Sequence, residues 1–117
     1  MDLSVSPWAA ASRMPEDRGP DSLESHLRAM LAELGLWGWH GKTSIGSVSG
    51  WVDWVILGPG PPYALFRELK TQDGTVTPEQ RLVGIRLIRA GSDYAVWRPI
   101  DFLNGTMRRQ LEAVALR

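Results

Sequence analysis

The 117-residue chain contains no cysteine. Disulfides and thiolate metal centres are thereby excluded, and the absence fits a reducing compartment. No apolar run approaches the roughly 18–20 residues needed to span a bilayer, and no basic stretch leads into an apolar one near the start. The expected setting is the cytoplasm, with no membrane partner. An excess of either charge is lacking as well: 13 Lys and Arg stand against 13 Asp and Glu. Uniform electrostatic attraction to nucleic acid is therefore excluded, but local patches are not. Up to Glu33 six acids face three arginines, whereas from Arg81 onward seven arginines face Asp93, Asp101 and Glu112. The basic end either meets phosphates or forms solvated helix faces. Repeats and low-complexity tracts are also missing. What is present is ordinary for one globular domain: 44% hydrophobic and 22% charged residues.

Residues 1–20 carry Pro7, Pro15, Gly19 and Pro20 and show no sustained period, so they read as a flexible tail, within which Met14 is an alternative start. A single domain is expected over 21–117. It opens on a helix, with Asp21 and Glu24 at capping-box spacing and Leu23, Leu27, Met30, Leu31 and Leu34 on one buried stripe. Gly35 stops it. A short aromatic strand follows between Leu36 and Lys42, then a Ser/Gly-rich stretch from Ser44 to Gly50 that reads as a loop or an irregular hairpin. Trp51–Leu57 and Tyr63–Lys70 read as strands. Gly58-Pro59-Gly60-Pro61-Pro62 between them is a turn, so the two should form an antiparallel hairpin. Thr77-Pro78-Glu79-Gln80 starts a helix that runs to about Ala90 and stops at Gly91. Its apolar residues surround much of the axis, which predicts packing on more than one side. A strand from Tyr94 to Arg98, stopped by Pro99, and a helix over about Met107–Ala115 close the chain. The expected fold is α/β, a small mixed sheet flanked by helices in the order α-β-β-β-α-β-α.

Chemistry concentrates on the hairpin. Alternation along Tyr63–Lys70 puts Phe66, Glu68 and Lys70 on one face and Leu65 and Leu69 on the other. Two charged groups ending an interior strand require compensation, because buried charge costs several kcal/mol unless paired or bound to metal. Asp53 interrupts the neighbouring apolar run, and pairing centred near residue 60 or 61 sets it opposite residue 68. Two adjacent carboxylates repel unless a proton or cation intervenes. Mg²⁺ suits such a pair, since it takes one or two carboxylates and keeps waters. The bland alternative is a buried ion cluster formed by Asp53, Glu68 and Lys70.

Taken together, Ser49-Gly50-Trp51-Val52-Asp53, Phe66-Arg67-Glu68-Leu69-Lys70, Asp73 to Gln80, Ala90-Gly91 and Val96-Trp97-Arg98-Pro99 resemble the VRR-NUC branch of the PD-(D/E)XK nucleases, nearest to the standalone forms of bacteriophages. The likeness covers about residues 22–103 and implies a restriction-endonuclease-like core. It also implies an Mg²⁺-dependent endonuclease, Mn²⁺ substituting, that hydrolyses DNA phosphodiesters, often in branched structures, and works as a homodimer. By that resemblance Asp53 and Glu68 are metal ligands assisted by the backbone carbonyl of Leu69. Lys70 is the catalytic lysine, Gln80 the helix glutamine facing the site, and Glu24 matches the acid of the first helix. One departure is visible: Val52 stands where the family has proline, and Trp54 follows the aspartate. A catalytically silent DNA-binding or protein-interaction module on the same fold is the rival reading.

Secondary candidates have two readings each. Gln80 also completes a capping box, and Glu24 also stabilises a helix start. His40 either contacts a phosphate or is structural. Lys42, Ser44 and Ser49 are polar loop residues able to meet phosphates, and Arg86 and Arg89 share a helix face that suits backbone contacts. Among the six tryptophans, Trp51, Trp54 and Trp97 are expected in the core. Trp37 and Trp39 alternate in their strand, so one face of it can be exposed; core or dimer contact is the favoured reading of the pair, and stacking on an unpaired base the other.

Overall fold

A computed structural model describes residues 6–41, 48–60 and 63–116. Among the described residues nine elements are formed: α1 (Pro7–Arg13), α2 (Leu23–Leu34), β1 (Trp37–His40), β2 (Trp54–Leu57), β3 (Ala64–Leu69), α3 (Pro78–Arg89), β4 (Asp93–Trp97), α4 (Pro99–Leu103) and α5 (Thr106–Ala115). The four strands lie in the order β1-β2-β3-β4, antiparallel across the first three and parallel between β3 and β4. The architecture is α/β around a mixed sheet, but the order is not the one the sequence suggested. Two short helices are added. Pro99, expected only to stop β4, sits in the first turn of α4, where a missing N–H costs nothing. Residues 7–13, expected to lack regular structure, form α1: Ser6 caps it, accepting from the Ala9 N–H, and Pro7 again occupies the first turn.

Other boundaries move by small amounts for identifiable reasons. Ser22, not Asp21, caps α2, accepting from Ser25 N–H at 3.1 Å. Both residue types cap well, and the backbone chose the second. Gly35 ends α2 in the left-handed conformation at φ 67°, as its position implied. Trp51 and Val52 precede β2 rather than belonging to it. The Thr77 cap and Gln80 complete the expected box on α3.

One face of the sheet carries the main core. Leu23, Leu27, Met30 and Leu31 of α2 and Met107, Leu111 and Val114 of α5 close over Trp54, Ile56, Leu65, Leu69 and Trp97. Each fully buried aliphatic side chain contributes about 1.5–3 kcal/mol. Arg67 shares this face and is only 1% exposed. Its guanidinium donates to Asp93 Oδ1 at 3.0 Å, to the Asp93 carbonyl at 2.7 Å and to Gln110 Oε1 at 3.1 Å, and lies over the Trp97 ring. A buried charge is tolerated because its donors are largely used.

The opposite face receives α3. Gly84 permits the close approach: a Cβ there would stand 2.5 Å from the Tyr94 ring of β4. Only the Val83–Gly84 side of α3 is buried; Leu82, Ile85 and Ile88 remain exposed. The expectation that α3 packs on more than one side is thus corrected. Trp51 is exposed too, edge-on to Phe66, whereas Trp54 and Trp97 fill the core. Among the described residues no helix is long and apolar enough to cross a membrane.

Candidate active site

β2 and β3 pair as Trp54↔Arg67 through Leu57↔Ala64. Extending that register by one residue sets Asp53 opposite Glu68, on the face that α3 covers. Asp53 lies just ahead of β2, and its Oδ2 accepts the Leu69 N–H at 2.9 Å. The two carboxylates are within hydrogen-bonding reach of each other. Glu68 is 2% exposed. Its Oε1 accepts from Gln80 Nε2 at 3.1 Å, while its Oε2 has no donor among the described residues. Burial, then the contact with Asp53 and its charge, push the Glu68 carboxyl up to about 9, against a smaller opposing pull from Lys70. Burial and the same two carboxylates raise Tyr94, on β4.

Gln80 is held from both ends. Its Oε1 accepts the Thr77 N–H at 2.9 Å, and its Nε2 donates to Glu68. Capping and facing the site are therefore one arrangement. Gly50 anchors the loop before Asp53 against the same turn of α3. Its φ is +81°, and a Cβ would fall 2.4 Å from the Glu79 backbone. Only glycine meets both conditions without strain.

A cleft of about 200 Å³ opens where β1 ends and β3 finishes, lined by Glu16, Asp17, Glu24, His40, Gly41, Asp53 and Leu69. Glu24 Oε1 lies 3.3 Å from His40 Nδ1 and 3.3 Å from Arg28 Nη2, and His40 stacks on Trp54. Lys70 follows β3 directly, its N–H donating to the Trp97 carbonyl at 3.1 Å. Its positive charge lowers the carboxyls of both Glu68 and Glu16 against the larger effect of burial.

Glu16 and Asp17 were not singled out in the sequence. They belong to the stretch read as a tail, and no spacing rule links them to Asp53. The Pro15 and Glu16 carbonyls accept the Leu23 and Glu24 N–H groups at 2.9 Å each, so free donors of the first turn of α2 hold the segment against the cleft. Burial raises the Glu16 carboxyl, with Asp53 the next cause. The structure does not bring every candidate together. Arg86 and Arg89 end α3, roughly 9–14 Å along the axis from Gln80. Ser49 is exposed and does not line the cleft. Lys42 and Ser44 lie outside the described residues.

The donors fit a hard divalent cation. Apart from His40 the ionisable groups lining the cleft are carboxylates, and the buried Glu68 carboxyl lies beside that of Asp53. Among the described residues no three His, Asp or Glu side chains form a ready-made cation cage. Mg²⁺ does not need one, since it keeps several waters and uses one or two carboxylates. No family model, no curated protein and no solved structure matches the chain.

Proposed function

We propose that this protein is a Mg²⁺-dependent DNA endonuclease, Mn²⁺ substituting, of the PD-(D/E)XK class and close to its VRR-NUC branch. The observation that carries the reading is the buried Glu68 carboxyl beside Asp53, its Oε2 without a donor among the described residues. Such a pair needs a shared proton or a cation between its oxygens, and among the described residues Lys70 forms no ion pair with either acid. The run α2-β1-β2-β3-α3-β4, with β3 and β4 parallel, supports a restriction-endonuclease-like core.

Asp53 and Glu68 would hold the cation, with the Leu69 carbonyl assisting. When bound, it supplies charge neutralisation and an activated water. Gln80 fixes the rotamer of Glu68. Lys70 offsets charge on the phosphate and holds the attacking water. Glu24 orients His40 at the cleft wall. The substrate is DNA, with branched or junction forms expected from the resemblance. A second copy is the expected partner, since Leu82, Ile85 and Ile88 form an exposed apolar stripe on α3 that a two-fold axis would place against itself.

The test is cleavage of four-way junction, flap and linear duplex DNA, with Mg²⁺ and with chelator. Metal-dependent products are expected from the wild type. Asp53→Asn and Lys70→Ala should each lose at least about 100-fold in rate, about 2.7 kcal/mol of transition-state stabilisation, while keeping wild-type circular dichroism. Wild-type turnover by either variant removes the mechanism. Binding without metal-dependent products would favour the silent module.

A further inference from the structure

Strand β1 presents two indoles to solvent beside the cleft. Trp37 is 57% exposed and Trp39 44%. They share a face because side chains two apart on a strand do, about 6.7 Å from each other. Gly38 and His40 take the other face: the space beside Gly38 is filled by Leu31 and Trp54, and His40 stacks on Trp54. Helix α3 covers the β4 side of the sheet through the Gly84–Tyr94 contact, whereas Trp37 and its partner Leu57 on β2 stay exposed. Two exposed tryptophans on one short edge strand forgo a large burial gain, which asks for an occupant.

The position of Trp39 indicates which one. The tip of its ring lies 3.2 Å from where a Gly41 Cβ would stand, and Gly41 lines the cleft together with Asp53. Trp39 pairs with Val55, two residues from Asp53 along the same chain. The apolar surface therefore runs continuously into the lip of the cleft. A nucleotide whose phosphate enters the cleft would carry its neighbouring base over this surface, and an unpaired base offers a flat π-face that an indole accepts whatever the sequence. A paired base is already stacked and does not reach it.

We propose that Trp39, with Trp37 next along the strand, is a stacking platform for unpaired bases flanking the phosphate held at the cleft, so that the substrate is DNA with a single-stranded arm. The proposal takes its nucleic-acid substrate from the nuclease reading and adds the class of structure selected.

The experiment is fluorescence polarisation in Ca²⁺ with a labelled single-stranded 12-mer and with the same strand made abasic at its central positions. The wild type should bind the base-bearing strand roughly tenfold more tightly than the abasic one. Trp39→Ala should remove that preference, and Trp39→Phe should keep most of it, since the ring and not the indole N–H stacks. Trp39 is half-exposed, so neither change threatens the core, and circular dichroism checks this. A wild type without preference, or a Trp39→Ala protein that retains it, overturns the platform. So does an unchanged preference with a shift from dimer to monomer on sedimentation, which would assign the face to a second copy. Cleavage of splayed-arm DNA in Mg²⁺ is scored separately. Base-dependent binding without cleavage would remove the nuclease reading and leave the platform standing.

Discussion

Gln80 ties the α3 start to the acidic pair through a single amide, one end on the Thr77 N–H and the other on Glu68. Gln80→Ala should therefore lower two quantities together: stability by about 1–2 kcal/mol, from the lost cap and carboxylate bond, and turnover by at least tenfold. Urea midpoints and single-turnover cleavage report them separately. Glu68 predicts a pH response whose sign is fixed. Its folded carboxyl is raised to about 9 from 4.5, so between those values the folded state holds a proton that the unfolded chain has released. Its contribution is full below about pH 4.5 and is lost as pH rises toward 9. The metal-free protein should melt at progressively lower temperature from pH 5 to pH 9, Glu68→Gln should flatten that slope, and Mg²⁺ should oppose it by binding the deprotonated pair. A metal-free slope that Glu68→Gln leaves intact would contradict the assignment. At this scale the Asp53–Glu68 pairing was legible, because a strand period of two and a Pro/Gly turn fix the register. Arg67 was not: nothing in its local sequence announces that Asp93, Gln110 and Trp97, all distant in the chain, converge to bury it.

The elements show where local rules suffice and where they fail. Helix α3 was legible down to its cap because Thr-Pro-Glu-Gln satisfies capping, the first-turn proline and the return bond at once. Its packing was not, since periodicity says which residues are apolar and not how many neighbours arrive. Helix α1 was missed because prolines at 7 and 15 read as breakers, although Pro7 follows a capping serine. The Gly50 turn makes a sharper prediction. Adding a Cβ would combine an unfavourable positive φ with a 2.4 Å approach to the α3 backbone. Gly50→Ala should destabilise by about 2–4 kcal/mol and lower cleavage further by moving Asp53 relative to Gln80. Equilibrium urea unfolding checks the first effect, and a loss below 1 kcal/mol would show that the loop yields.

At the scale of the whole molecule, net neutrality conceals a division of labour. The acids cluster at the cleft, Glu16 and Asp17 joining Glu24 and Asp53, and the exposed aliphatics of α3 lie on another surface. If that stripe joins two copies, Ile85→Glu should convert a dimer to a monomer in sedimentation velocity with little change in secondary structure. A wild type that sediments as a monomer at tens of micromolar would remove the homodimer. The α/β class with its mixed sheet was legible from the mix of strand and helix patterns, but the full element order was not. The cleft was not, because two of its acids come from the N-terminal segment, and only tertiary contact with α2 draws them in.

Asp53 spans these scales in one further respect. Because its Oδ2 receives the amide of Leu69, the side chain closes the last rung of the hairpin ladder as well as facing the cleft. Truncation to alanine would strand that amide and fray the tip of the central strand, so lost activity in such a variant would mix chemistry with architecture. Asparagine preserves an oxygen for the rung and deletes only the charge, which makes it the informative replacement.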